Sequence, residues 1–255
     1  MFTWPRTLVR ILALGSALAL GPAALAADSY VDALLGSDAS GNGTSASPWR
    51  TVTHAIGQIG DPPAGETHAI HLAPGTYSPT IGEVFPLALR PRVQLIGAGS
   101  ADTLIDGEGA ATGLVSMRSE QAGEGLSFER DTQVVGLTLS NARYGIHLYS
   151  DWLGVAPTLE ELVVHGTEIG IFIQVDGNQG AGSSDALLRD VQSMDNGIGL
   201  SAPVLGQGST TCTAIDSLFS QNSDYGIRAD GVVGSSRIVL KRARVDSNGI
   251  DGIHA

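Results

Sequence analysis

The chain has 255 residues, 14 basic and 26 acidic side chains, a formal net charge of −12, one cysteine and 34 glycines. An apolar content of 42% excludes a disordered chain. The acidic balance excludes a nucleic-acid binder, which needs a basic face, and the single cysteine excludes a disulfide framework or a Cys-rich zinc site.

Arg6 and Arg10 precede an apolar run from Ile11 to Leu20. Gly21-Pro22 breaks the run before the small-residue site Ala24-Leu25-Ala26. This is the layout of a cleaved secretory signal over residues 1–26, and the run is too short for a comfortable membrane span. No later run is apolar and long enough to span, so the expected location is secreted, periplasmic or cell-surface. Loss of Arg6 and Arg10 takes the formal charge from −12 to −14. Such a chain repels anionic polymers unless cations or a local basic patch intervene.

Residues 27–112 form an N-terminal block. Tyr30-Val31-Asp32 opens a strand, and Gly36 to Thr44 is a turn-rich loop. Pro48 to Ile56 predicts a short helix with Val52, Ala55, Ile56 and Ile59 on one face. Strands follow at Ala69–Leu72 and Val93–Gly97, and then comes Leu104-Ile105-Asp106-Gly107. His68 and His71 are three apart on a strand, so they face opposite sides and cannot share a metal.

Residues 113–255 repeat. Tyr144-Gly145-Ile146 recurs as Ile169-Gly170-Ile171, Asn196-Gly197-Ile198, Tyr225-Gly226-Ile227 and Asp251-Gly252-Ile253. Each copy alternates with period two, as in Ile171 and Ile173, which marks strands and not helices. Short strands repeating near this spacing predict a coiled parallel β-solenoid, each coil stacked about 4.8 Å from the next. Ile146, Ile171, Ile198, Ile227 and Ile253 are expected to stack inside. Asn141, Asn222 and Asn248, four before their glycines, suit tight turns. Cys212, in a strand-like run, reads as a buried free thiol. The chain stops within a repeat at Ala255, which predicts either missing C-terminal coils or an end-to-end partner.

The runs from Tyr30 to Ile56, Ile70 to Thr80 and Val93 to Gly109 resemble the opening of secreted bacterial pectin-lyase-like proteins, often catalogued as a domain of unknown function. The resemblance implies an all-β, right-handed parallel β-helix with a short N-terminal capping helix. That superfamily includes lyases, hydrolases, epimerases and adhesins. The polygalacturonase and pectate-lyase strings are absent, and the mannuronan epimerase string is echoed only at Tyr144-Gly145-Ile146.

Residues at one offset from the repeat glycine should form columns. Two before it stand Glu168, Asp195 and Asp224. Such a carboxylate column either binds a cation such as Ca²⁺, holds an acid/base pair, or splays into solvent. Two and four after it stand His147, Phe172 and Arg228, then Tyr149, Gln174 and Asp230. Both columns point outward and could bind sugars through ring faces and hydroxyls, or else form a mixed solvent face. Arg228 would hold a uronate carboxylate, and Tyr149 or His147 could transfer a proton. Lys241, the only lysine, is a lyase base only if desolvated. The expectation is a secreted surface protein that binds extracellular polysaccharide. The alternative is a polysaccharide lyase, hydrolase or epimerase acting on acidic polymers. The signal segment counts against a third reading, a phage tailspike-like fibre.

Overall fold

The computed structural model describes residues 28–119, 127–177, 182–231 and 233–255. The segment expected to be a secretory signal lies outside them, as does part of the long turn between Asp176 and Asp185. The described chain winds into a parallel β-solenoid of about seven turns with one α-helix. None of its helices is long and apolar enough to cross a membrane.

Each coil contributes to three parallel sheets. The first runs from Asp28–Val31 through His68–Leu72 and Val93–Ile96 to Ser209–Ile215 and Ser235–Lys241. The second begins at Gly75–Tyr77 and ends at Arg244–Asp246. The third stacks Leu87–Ala88, residues 113–119, residues 144–150, Ile169–Val175, Ile198–Ser201, Tyr225–Arg228 and Asp251–His254. Alternate residues face the narrow interior, which Leu95, Val134, Leu159, Leu188 and Ala214 fill along the first sheet. The few buried rings include Tyr77, whose hydroxyl sits between the carbonyls of Val31 and Ala73 at 3.1 and 2.9 Å. A buried phenol costs less when so satisfied.

The helix, α1 (Val52–Gln58), lies against the first coils and buries Val52 and Ala55 completely, as its apolar stripe predicts. Thr51 caps it by accepting a bond from the His54 amide. The carboxylate of Glu83 accepts the Val52 and Thr53 amides at 2.6 and 2.9 Å. Those bonds satisfy orphan donors of the first turn and tie the helix to the solenoid. A solenoid end left bare would expose core and backbone.

Register corrects one part of the repeat. Ile171 pairs with Ile146 on one side and with Leu200 on the other, and Leu200 pairs with Ile227. The third repeat glycine is therefore Gly199, not Gly197. A Cβ at Gly145, Gly170, Gly199 or Gly226 would lie 2.5–2.7 Å from the carbonyl oxygen of the next glycine in the column, ending at Gly252. Close approach between coils is the reason for the glycine. Ile146, Ile171 and Ile227 stack inside as expected. Ile198 moves to the column of Tyr144, Ile169 and Tyr225, where it is still buried. Ile253 keeps register with Ile227 but is 54% exposed.

At the corner between the second and third sheets, Asn141, Gly166, Asp195, Gln221 and Ser247 take φ between 54° and 65°. The next residue in three successive coils is asparagine: Asn196, Asn222 and Asn248. Asn222 Oδ1 accepts the Asn196 amide, and Asn248 Oδ1 accepts the Asn222 amide, each at 3.1 Å. Asn222 Nδ2 donates to Ser193 O and Asn248 Oδ1. Asn141 is thus a left-handed corner residue and not a rung of this ladder.

Candidate functional site

The outer face of the third sheet carries an aromatic platform. Strict alternation breaks at Gly145 and Ile146, which are both buried. The break turns Tyr144 and His147 to the same outer face. His147 stacks on Phe172 of the next coil, with centroids 5.0 Å apart and planes at 17°. Tyr144 lies 5.0 Å from Phe172 and 5.3 Å from His147, and Tyr149 meets His147 edge-on at 6.2 Å. The Arg118 guanidinium covers Tyr149 at 4.3 Å, and that of Arg143 covers Tyr144 at 5.0 Å. These contacts hold the rings in place by π-stacking and cation–π attraction.

Asp176 organises one end of the platform. Its carboxylate accepts from the Tyr149 hydroxyl at 2.7 Å and from Gln174 Nε2 at 2.9 Å. Burial, and then Asp176, push the Tyr149 phenol up to about 12. Burial lowers the His147 imidazole to about 4, and the charges of Arg118 and Arg143 act in the same direction. The ring is neutral at pH 7, and its buried Nε2 has no hydrogen-bond partner.

At the other end, an open cleft of about 730 Å³ sits where the strand Thr103–Ser119 bulges away from its neighbour. Asp106, Glu108, Arg143 and Glu168 line it. Asp106 accepts from Asn141 Nδ2 and from the Glu108 amide. Glu108 accepts from the Ser78 hydroxyl, and hydrogen bonds to Thr80 and Ser78 hold its carboxyl below the usual range. Arg143 pairs with Glu168 at 3.2 Å. Arg143 thereby belongs to both the cleft and the platform.

The predicted sugar-binding residues separate into two groups. His147, Tyr149, Phe172 and Gln174 come together. Arg228 shares their face but lies two strands from Phe172, with Ser201 between them. There it pairs with Asp230 and sits 5.8 Å from the Tyr225 ring. Tyr225 in turn lies 5.0 Å from His254, giving a second, smaller aromatic patch.

The predicted carboxylate column does not assemble. Gly197, not Asp195, stands between Glu168 and Asp224, because its amide bonds to Thr167 O while the Asp224 amide bonds to Gly197 O. Asp195 occupies the left-handed corner instead. Glu168 is engaged by Arg143. Among the described residues no three His, Cys, Asp or Glu side chains form a metal-ligand group. Lys241 is exposed on the first sheet, so burial does not prepare it as a base.

Sequence reasoning missed Tyr144, Arg118, Asp176 and the cleft acids Asp106 and Glu108. One signal was present: Tyr144 and Tyr225 both stand immediately before a repeat glycine.

Fold and face together define a parallel β-solenoid with an aromatic outer sheet beside an acidic cleft. The chain belongs to the family described as "Protein of unknown function (DUF1565)", whose pattern matches residues 34–205. This agrees with the resemblance carried by its opening segments. A search of curated proteins finds no match. Among solved structures the fold is similar to the GH136 lacto-N-biosidase from Eubacterium ramulus, at 13% identity and a TM-score of 0.56, covering 80% of this chain and 43% of that one. Also similar is the A-module of a mannuronan C-5 epimerase from Azotobacter vinelandii, at 17% identity and a TM-score of 0.42, covering 73% of this chain and 65% of that one. A rhamnogalacturonan lyase matches at 11% identity and a TM-score of 0.39, covering 90% and 62%. The chain spans less than two thirds of each, and the likeness is one of fold.

Proposed function

We propose that the protein is an exported solenoid that binds extracellular polysaccharide along the outer face of its third sheet. One observation carries the reading: Tyr144, His147, Tyr149 and Phe172 form a contiguous row of mutually packed rings beside an open cleft. Sugar rings have an apolar face that lies against aromatic faces and a rim of hydroxyls that needs donors and acceptors. Gln174, Asp176, Asp106 and Glu168 supply those at both ends of the row. The charged, apolar and small-residue zones of residues 1–26 support export.

The test is electrophoresis of the purified protein through gels containing different polysaccharides. Binding retards migration, and Phe172→Ala should weaken the retardation about tenfold, the usual effect of removing a central aromatic anchor. Equal migration through every polysaccharide would contradict the reading.

His147 supports a second reading, proton transfer on a bound sugar. Its imidazole is neutral, as a general base must be, and the ring belongs to the face on which a sugar would lie. Incubation with uronate polymers, followed by ultraviolet absorbance of an unsaturated product, tests for a lyase.

A further inference from the structure

We infer that the platform and cleft select uncharged glycans and exclude polyuronates. The inference rests on the binding reading above and adds the class of ligand.

The charge around the rings is already fixed. Asp106, Glu108 and Asp176 take their bonds from neutral donors: the Asn141 amide, the Ser78 hydroxyl, the Tyr149 hydroxyl and the Gln174 amide. No cation offsets them in those contacts. Two of the arginines on this face are matched to carboxylates of their own, Arg143 to Glu168 and Arg228 to Asp230. Arg118 and Arg143 are drawn over tyrosine rings. A uronate carboxylate would have to displace an existing partner to reach Arg143 or Arg228. It would also approach a face where, among the described residues, Asp106, Glu108, Glu168, Asp176 and Asp230 outnumber Arg118, Arg143 and Arg228, on a chain of net charge −12. Like charges on this open face repel a uronate across water, and salt screens that repulsion.

A neutral sugar meets the same groups differently. Its hydroxyls donate to the carboxylates, and charge-assisted O–H···O⁻ bonds are stronger than neutral ones. Its ring face lies on Tyr144 and Phe172. The acids that repel a uronate therefore hold a hexose. His147 fits the same scheme, because an uncharged imidazole offers no ion pair to an anionic chain.

Matched ligand pairs test the inference: β-1,4-linked mannan against mannuronan, and soluble β-1,4-linked glucan oligomers against β-1,4-linked glucuronan. Members of a pair differ only in whether the sixth carbon is a hydroxymethyl or a carboxylate. Affinities are measured by gel electrophoresis at about 0.02 M and about 0.5 M salt, where the screening length changes several-fold. The neutral member should bind at least about tenfold more tightly at low salt. The gap should narrow at high salt, and only the affinity for the uronate should respond. The double variant Asp106→Asn/Glu108→Gln should also narrow it, by gaining affinity for the uronate and losing affinity for the neutral member. Uronates binding as tightly as their neutral partners would overturn the inference and leave the binding reading intact. Failure of every neutral and acidic glycan to bind would overturn both.

Discussion

The imidazole of His147 lies face to face with the Phe172 ring of the next coil, 5.0 Å between centroids and 17° between planes. This contact takes part of the imidazole out of water, and the charges of Arg118 and Arg143 disfavour its protonation further.

The first prediction concerns pH. His147 has its folded-state value lowered from 6.5 to about 4, chiefly by burial and then by Arg118. Between those values the unfolded chain binds a proton that the folded chain refuses. Stability contributed by the neutral ring is therefore present above pH 6.5 and is lost as pH falls toward 4. With allowance for solvent screening the loss is about 2 kcal/mol. Thermal melts of wild type and His147→Phe from pH 7.5 to 4.5 check this. The variant should lose less stability across that range, and parallel curves would contradict it.

The asparagine ladder gives a second prediction. Asn222 is 1% exposed and satisfies the amide of Asn196 and the carbonyl of Ser193. Asn222→Ala leaves both buried groups unpaired, and each costs about 1–3 kcal/mol. Urea unfolding should show a loss of about 2–4 kcal/mol. A change below about 0.5 kcal/mol would mean that the ladder does not hold the coils.

Two glycines should respond in opposite directions. Gly170→Ala places a Cβ 2.1 Å from Ser193 Oγ and 2.7 Å from the Gly199 carbonyl oxygen, so coils must separate. Gly57 lies in α1 with nothing within 4 Å of a built Cβ. Gly57→Ala should stabilise by about 0.5–1 kcal/mol through helix propensity and a less flexible unfolded chain. Gly170→Ala should destabilise by about 1–3 kcal/mol. Melting temperatures that move together would contradict the packing described for the glycine column.

Cys212 supplies the fourth prediction. The thiol is fully buried, and desolvation pushes it up to about 12. The thiolate is the reactive form, so native protein should not react with a thiol reagent at pH 8. Denatured protein should release one equivalent. Rapid labelling of the native protein would contradict the placement.

Much of this architecture was legible because its causes are local. Period-two alternation set the strands, and the apolar stripe of Val52, Ala55 and Ile59 set the capping helix. The error at Gly197 arose where Gly197-Ile198-Gly199 offers two glycines two residues apart. Either choice preserves strand parity, and only pairing with Ile171 and Ile227 decides between them. That two-residue shift carried Asp195 out of the imagined carboxylate column. Tyr144 was hidden by the break in alternation at Gly145 and Ile146. The cleft depends on a bulge in Thr103–Ser119 after Asp106, and on strand pairing that sets Asp106 beside Asn141, a contact across 35 residues that no local pattern encodes.

The central claim is that the ring row on the third sheet is the glycan-binding surface. Calorimetric titration of wild type and Tyr144→Ala/Phe172→Ala with a neutral glycan retained in the gels tests it most directly. Arg242→Ala, at a different corner of the solenoid, serves as the control. Each variant is first matched to wild type by circular dichroism. The account predicts that the double variant loses binding by about a hundredfold or more while the control binds as wild type does, as removal of two central aromatic anchors requires. Unchanged affinity in a folded double variant would contradict it.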